Sequence, residues 1–328
     1  MLFRSIGIHC VCITAKNFRA SAVGLVANVA MKFNLKLGGA NQVLAPTSLP
    51  SFAQDTLFIG LDVTHPAPGA SSKGPSIAAM VGNIDANLAQ WPGGFVKEEP
   101  DEKEGKKEIP EVKEDPDKKK GSKEILEPSK LEALFKGCLD RYISNTKRVP
   151  QRIFVYRDGV SEGQYKLVLE KEKPVFDKVC KAKLGKELPM ALVIVAKRHH
   201  TRAFKVVKQG DRTTVYNPSA GTVFDRGVTM DRGHDFFLQA HHPLKGTGKP
   251  AHYVVLHSGF PMAPKALEKF SHDFSYLFGR STLPVSLPPA IYYADLLAYR
   301  ARAYLARLGA QNLPQTVHAD VANSMFYI

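Results

Sequence analysis

Leu57-Phe58-Ile59-Gly60-Leu61-Asp62 is an apolar, β-rich run that ends in an acid. Ile153-Phe154-Val155-Tyr156-Arg157-Asp158 repeats this pattern, and a third acid, Asp295, lies within a segment of helical character. The two runs are typical of buried strands, where a carboxylate is costly unless it reaches a cation or a partner at the edge of the sheet. Carboxylates from two strand ends and one helix can hold two Mg²⁺ or Mn²⁺ ions roughly 3.5–4 Å apart. The layout therefore favours metal-assisted hydrolysis of a phosphodiester.

The composition favours a polyanionic partner. The 328 residues include 45 Lys and Arg against 31 Asp and Glu, a formal net charge of +14. Residues 97–124 are slightly acidic, so the rest of the chain is more basic than this total suggests. Such an excess is typical of nucleic-acid binding, although a solvated basic surface is the alternative. No run approaches the roughly 20 apolar residues that a membrane span requires, and four scattered cysteines favour a reducing, intracellular compartment.

Strand-like and helix-like segments alternate along the chain, which predicts an α/β fold. We expect a strand at residues 6–13, a helix at about 20–33 that ends before Gly38-Gly39, and a hairpin formed by the Asp62 strand and residues 76–81. An amphipathic helix at about 131–145, strands at 191–196 and 252–257 and a helix at about 290–308 follow. Residues 97–124 are Lys, Glu, Asp and Pro with few apolar residues, and this composition predicts a disordered insertion.

Two groups of cations could bind phosphate. Lys32 and Lys36 are one helical turn apart and share a face, and residues 195–203 contain the run Lys197-Arg198-His199-His200-Thr201-Arg202. A solvated helix face and a solvated basic loop with structural histidines are the respective alternatives. Arg300 follows Asp295 by five residues, about 7.5 Å along the helix axis and roughly 140° around it. These two side chains must therefore serve different sites.

Five motifs in order carry a resemblance to a known family: Asp62-Val63-Thr64-His65-Pro66, Pro75-Ser76-Ile77-Ala78-Ala79, residues 156–164, residues 197–202, and Tyr292-Tyr293-Ala294-Asp295 with Arg300-Ala301-Arg302. The chain resembles the PIWI domain of eukaryotic Argonaute proteins over nearly its whole length. The resemblance implies an RNase H-like PIWI domain, with a mixed central sheet flanked by helices, after a partial Rossmann-like MID segment. The expected domains are residues 1–45, the C-terminal part of MID, and residues 46–328, the PIWI domain with the insertion at about 97–124.

The resemblance also implies functional residues. Asp62, Asp158 and Asp295 match catalytic acids that bind metal, and the remaining catalytic acid would be Glu124, with Glu127 as the alternative. Lys32, Lys36 and Arg300 match the residues that hold the 5′ phosphate of a guide strand, and His9 stands where the family often has glutamine. The expected contacts to the RNA backbone are Arg157, Lys197, His200, Arg202 and Arg280.

The function implied is a small-RNA-guided endoribonuclease, a slicer, that cleaves complementary target RNA in RNA silencing with two Mg²⁺ or Mn²⁺ ions. Base pairing would read the sequence while the protein reads the A-form shape. We expect a monomer without membrane attachment, in the cytoplasm or alternatively in the nucleus. Its partners would be a small guide RNA, a complementary target RNA and, by analogy with the family, tryptophan-rich silencing proteins. The alternatives are a guide-binding module that does not cleave and a truncated Argonaute.

Overall fold

Eight strands form one twisted sheet that organises the described part of the chain. A computed structural model describes residues 6–16, 23–65, 75–98, 125–231, 233–308 and 317–328. The strands of the large sheet are β1 (Thr56–Thr64), β2 (Ser76–Gly82), β3 (Gly93–Glu98), β4 (Arg152–Arg157), β5 (Met190–Ala196), β8 (Thr222–Phe224), β9 (His234–Gln239) and β10 (Ala251–Ser258). Strands β6 (Lys205–Gln209) and β7 (Arg212–Tyr216) pair separately as a hairpin.

The sheet is mixed, with the strand order β3-β2-β1-β4-β5-β10-β9-β8. The three central strands β1, β4 and β5 are parallel, and the outer strands pair antiparallel. Parallel strands are usually covered on both faces, and β1 is buried along almost all of its length. The predicted α/β class with a mixed central sheet is therefore confirmed.

Helices cover the two faces of the sheet. They are α1 (Val23–Lys36), α2 (Pro128–Thr146), α3 (Lys173–Leu184), α4 (Pro264–Phe274), α5 (Pro289–Leu308) and α6 (Ala319–Ala322). Leu57, Ile59 and Leu61 of β1 belong to the core that lies against α2 and α3. Phe58 points the other way into the core with α4 and α5. Because side chains alternate along a strand, Gly60 and Asp62 share the Phe58 face.

The C-terminal residues close the core beside α5. Met325, Phe326, Tyr327 and Ile328 are buried. The Tyr327 hydroxyl donates a hydrogen bond of 2.6 Å to the backbone oxygen of Trp91, whose own side chain is fully buried. A buried Tyr or Trp needs such a partner to offset the loss of water. The chain end is thus fixed to the turn that precedes β3.

Most of the predicted segments are found in the structure, but one prediction is wrong. Residues 6–13 form no strand and pair with none of the described strands, and Ile6 and Ile8 are exposed. Lys97 and Glu98, at the start of the predicted insertion, pair with β2 as the end of β3, and the rest of that insertion lies outside the described residues. The first predicted helix is found as α1, which ends at Lys36 before Gly38 turns the backbone at a φ of +90°.

Gly60 sets how closely α5 approaches the sheet. A Cβ atom at this position would lie 2.1 Å from the backbone oxygen of Ala290, at the start of α5. No side chain can be accommodated there unless the helix moves away. The position of α5 over β1 therefore depends on this glycine.

We expect Gly60→Ala to lower the free energy of unfolding by about 1–3 kcal/mol, because the added methyl group overlaps the backbone of α5. Urea unfolding followed by circular dichroism measures the change. Gly163→Ala is the matched control, since a Cβ atom there meets nothing within 4 Å. Equal stability of the Gly60 variant and the control would contradict this account of the packing.

Candidate active site and cation cluster

Asp62 and Asp158 lie at the same edge of the sheet. Leu61 of β1 is in register with Arg157 of the parallel strand β4, and the backbone N–H of Asp158 donates to the oxygen of Leu61 at 3.1 Å. The two acids are the next residues on the two strands, so their backbones are neighbours. The carboxyl ends of parallel strands meet at one edge, as predicted for these residues.

The carboxylates of Asp62, Asp158 and Asp295 share one electrostatic environment. Burial, together with the nearby charges of Asp158 and Asp295, raises the pKa of Asp62 to about 7, and the positive charge of Arg157 opposes this shift. Burial also raises the pKa of Asp158. A 2.6 Å hydrogen bond from the N–H of Gly159 and the nearby positive charge of Arg198 lower that pKa and so oppose the effect of burial. Neighbouring carboxylates resist ionisation together. A divalent cation would remove this repulsion.

The three acids fit a hard cation in ligand type. Mg²⁺ and Mn²⁺ prefer carboxylate oxygen, and all three side chains supply it. Among the described residues, however, no three His, Cys, Asp or Glu side chains form a group that could hold a metal ion as they stand. A metal site here therefore requires closer approach of the acids or a further ligand.

The fourth predicted acid, Glu124, lies outside the described residues. Its alternative, Glu127, is described, and it immediately precedes α2. Its exposed carboxylate accepts a hydrogen bond from the Ser129 hydroxyl at 2.6 Å and pairs with Lys130 at 3.3 Å. Glu127 is therefore engaged at the start of α2.

Arg157 is not a surface residue, and the prediction that it contacts RNA is corrected here. Its side chain is 0% exposed and pairs at 3.3 Å with Glu172, which is 1% exposed. The register of β4 turns Arg157 toward the α2 and α3 face, opposite to Phe154 and Tyr156. Sequence reasoning missed Glu172 because it lies in a π-helical turn, Val168–Glu172, just before α3. The pair supports the strand end that carries Asp158.

Four cations gather where α1 meets α5. Lys36 is only 2% exposed, and its Nζ donates to the backbone oxygen of Phe326 at 2.6 Å. Burial lowers the pKa of Lys36 to about 8, and the nearby charges of Arg300 and Lys32 contribute to this shift. Arg280 also lies near Lys32 and Arg300. Burial is the main cause that lowers the pKa of Arg280, and the positive charge of Arg300 lowers it further. The charge of Arg280 in turn lowers the pKa of Lys32. Lys32, Lys36, Arg280 and Arg300 form what we call the cation cluster.

Helix α5 supplies residues to both groups, as its geometry predicts. The negative charge of Asp295 raises the pKa values of Asp62 and Asp158. The positive charge of Arg300 lowers the pKa values of Lys32 and Lys36. Arg302 of the same helix donates to the backbone oxygen of Thr64 at 2.6 Å and to its hydroxyl at 2.9 Å. This contact, for which the sequence offered a motif but no role, fixes α5 to the end of β1.

The side chains of the predicted basic loop after β5 differ in exposure and in hydrogen-bond partners. Lys197 is half-buried and donates to the Ser286 hydroxyl at 2.6 Å, which in turn bonds the Tyr292 hydroxyl at 2.6 Å. Tyr292 lies near the acids. Burial raises the pKa of its hydroxyl, and the negative charges of Asp295 and Asp158 raise it further. His200 and Arg202 are exposed, and Arg202 donates to the backbone oxygens of His199 and Thr201. Ser286 was not singled out from the sequence, and Arg198 and Tyr292 appeared there only as members of motifs.

The fold and these two groups define an α/β domain with clustered acids at the carboxyl edge of a mixed sheet and a cation cluster beside it. The chain belongs to the Piwi domain family, whose sequence model matches residues 1–306. Piwi domains of Argonautes have an RNase H-like fold.

Similar proteins agree with this assignment. Protein argonaute 2 of rice, Oryza sativa subsp. japonica, is 35% identical over 287 residues, 85% of this chain, but the chain spans only 25% of that protein's length. The C-terminal lobe of a budding yeast Argonaute superimposes with a TM-score of 0.78 at 28% identity, covering 97% of this chain and 64% of that one. Kluyveromyces polysporus Argonaute, solved with a guide RNA, superimposes with a TM-score of 0.81 at 28% identity, covering 99% and 36%.

None of the helices in the described ranges is both long and apolar enough to span a membrane. The division into residues 1–45 and 46–328 stays a prediction.

We expect Arg157→Met and Glu172→Leu each to lower the free energy of unfolding by about 3–5 kcal/mol, because each leaves one buried charge without its partner. The double variant should regain much of that loss, since neither charge remains. Urea unfolding of the four proteins measures the coupling. Simple addition of the two losses would show that the buried pair does not act as a unit.

Proposed function

We propose that the chain is the catalytic part of a small-RNA-guided endoribonuclease that cleaves complementary target RNA in RNA silencing. The observation that carries the proposal is the placement of Asp62 and Asp158 on adjacent parallel strand ends, with Asp295 brought to them by α5. Membership of the Piwi domain family supports it, and the similar yeast protein was solved with a guide RNA. The guide and target RNAs are the proposed partners, and the cytoplasm or nucleus the proposed location.

In this proposal Asp62, Asp158 and Asp295 bind two Mg²⁺ or Mn²⁺ ions, together with Glu124. Bound there, the ions would supply an activated water and stabilise the charge that develops on the attacking and leaving oxygens. Arg157 holds the backbone that precedes Asp158 through its buried pair with Glu172. Arg302 holds the end of β1 beyond Asp62 through its bonds to Thr64. These residues keep the two strand ends in fixed positions.

The cation cluster is the proposed site for the 5′ phosphate of the guide. Lys32, Lys36, Arg280 and Arg300 repel one another as they stand, and a phosphate group would offset that repulsion with charge-assisted hydrogen bonds. Arg300 and Asp295 lie on one rigid helix, so the anchored phosphate and the acids keep a constant separation. A constant separation predicts cleavage at a fixed distance from the guide's 5′ end.

Lys197, His200 and Arg202 are the proposed contacts to the RNA backbone between these sites. Lys197 is positioned by Ser286 and Tyr292, and Tyr292 lies close to the acids. His200 and Arg202 are exposed at the same edge of the sheet. Such contacts position a strand without reading its sequence, which base pairing with the guide would do.

The second candidate is a guide-binding module that does not cleave. It is favoured by the finding that no three potential ligands among the described residues form a group ready to hold a metal ion. Single-turnover cleavage of a complementary RNA separates the two candidates. The purified chain is loaded with a 5′-phosphorylated guide and supplied with Mg²⁺, Mn²⁺ or EDTA. One cut at a fixed position that EDTA abolishes supports the nuclease, and guide binding without any cut supports the module.

We expect Asp62→Asn and Asp158→Asn to slow cleavage at least about a hundredfold while guide binding stays within twofold, because each removes a metal ligand. Single-turnover rates and filter binding measure the two effects. Asp177→Asn on α3, which pairs with Lys173 on the far side of the sheet, is the control and should cleave normally. Normal cleavage by either test variant would exclude the proposed site.

The affinity for a 5′-phosphorylated guide should fall above about pH 8. Lys36 must be protonated to attract phosphate, and its pKa in the unliganded chain is about 8. Affinity is therefore fully present below that pH and declines by up to about tenfold per pH unit above it. Dissociation constants at about pH 7 and pH 9 measure the step. Lys36→Met should reduce this loss of affinity between the two pH values, and a guide with a 5′ hydroxyl should not show it. Identical pH profiles for the phosphorylated and hydroxyl guides would contradict the phosphate assignment.

A further inference from the structure

The β6–β7 hairpin is a separate two-stranded sheet that follows the basic loop. Its strands pair from Lys205 with Tyr216 to Gln209 with Arg212, and Gly210, at a φ of +59°, starts the turn. Val206 and Val215 are cross-strand partners on one face and are 56% and 55% exposed. Val207 and its partner Thr214, on the other face, are half-buried. One face of the hairpin therefore points to solvent.

This outer face is apolar at its centre. Phe204, 52% exposed, precedes β6 on the side of Val206, so an aromatic ring and two β-branched side chains form an exposed stripe. A two-stranded ribbon is marginally stable by itself, and exposed apolar groups of this kind mark interaction surfaces. The hairpin therefore has the properties of a docking element.

The charge around the stripe identifies the kind of partner. Residues 197–216 contain six Lys and Arg residues and one acid, Asp211, and residues 241–249 add two lysines and no acid. Lys205, Lys208 and Arg212 belong to the hairpin itself, and all three are exposed. Lys208 shares the face of Val206, whereas Lys205 and Arg212 project from the opposite face at the two ends of the hairpin. Such a surface attracts a polyanion and repels a basic partner. Charge complementarity therefore selects a nucleic acid.

The hairpin is fixed to the edge of the sheet that carries the acids. Asn217, just after β7, donates to the backbone oxygen of Gly246 at 2.9 Å and accepts from the N–H of Gly248 at 2.7 Å. Beside Asn217, at the same open end, the chain enters β6 from the loop that follows the carboxyl end of β5. Arg198 of that loop lies close enough to Asp158 to lower its pKa. A strand of RNA that leaves the acids can therefore reach the hairpin.

We propose that the outer face of the β6–β7 hairpin binds single-stranded RNA. Bases lie on Phe204, Val206 and Val215, and Lys208 on the same face neutralises the phosphates beside them. Lys205 and Arg212, at the two ends of the hairpin, neutralise the backbone where it crosses the ribbon's edges. This division follows from the chemistry of single-stranded RNA, which presents flat apolar bases and a charged backbone at once. The inference rests on the proposed function only in that RNA reaches this edge of the sheet.

The test is binding of a 5′-hydroxyl oligouridine of about 20 nucleotides, which avoids the phosphate site. Lys205→Gln/Lys208→Gln/Arg212→Gln should weaken binding more than about tenfold at 0.1 M salt and reduce the slope of log affinity against log salt by about 2. Phe204→Ala should weaken binding by about fivefold or more with the slope unchanged. The matched control is Lys136→Gln/Lys171→Gln/Lys186→Gln, which removes three exposed lysines elsewhere.

Equal losses in the charge variant and its control would overturn the proposal, since binding would then depend on total charge alone. It is also overturned if the chain dimerises in sedimentation and Val206→Lys/Val215→Lys makes it monomeric without changing RNA affinity, because a second copy would then occupy the face. Thermal melts establish that each variant folds. EDTA-sensitive cleavage by the unaltered chain is scored separately, so failure of the proposed nuclease function and failure of this proposal are distinguishable.

Discussion

The close packing of α5 on β1 is the contact on which the rest of the site depends. Gly60 lets the backbone of Ala290 approach the strand, and two residues further along the same face lies Asp62. From that contact the helix carries Asp295 toward the strand acids and Arg300 toward α1. Arg302 then closes the interface by bonding Thr64. A single helix–strand interface thus determines the positions of two oppositely charged groups.

Both groups are held in an electrostatically unfavourable state. The charges of Asp158 and Asp295 raise the pKa of Asp62, and the charge of Arg300 lowers the pKa values of Lys32, Lys36 and Arg280. Burial is the largest cause of each of these shifts. A fold tolerates such repulsion only when packing elsewhere exceeds its cost. Here the supporting contacts are the covered central sheet, the buried Arg157–Glu172 pair and the C-terminal residues against Trp91. A bound cation would relieve the repulsion among the carboxylates. A bound phosphate would relieve the repulsion among the cations.

The sequence predicts the frame of this arrangement better than its details. Apolar runs that end in acids locate β1 and β4, and helical spacing separates Asp295 from Arg300, because both signals are local. The role of Arg157 could not be predicted, since its position in a strand sets its face but its partner, Glu172, comes from a π-helical turn. Residues 6–13 have the composition of a strand, but none of the described strands pairs with them. The hairpin at 205–216 was missed because its exposed strands lack the apolar run on which the strand predictions depended.

The sites also follow an order along the edge of the sheet. The cation cluster lies where α1 meets α5, the acids lie at the ends of β1 and β4, and the basic loop after β5 leads to the hairpin. From the acids onward, each step moves to the next strand of the sheet or to the loop that leaves it. A polyanion bound at one end of this series would therefore pass the acids before it reached the other end. The path requires no movement of α5, and for this reason the separation between anchor and acids is a property of the fold rather than of the ligand.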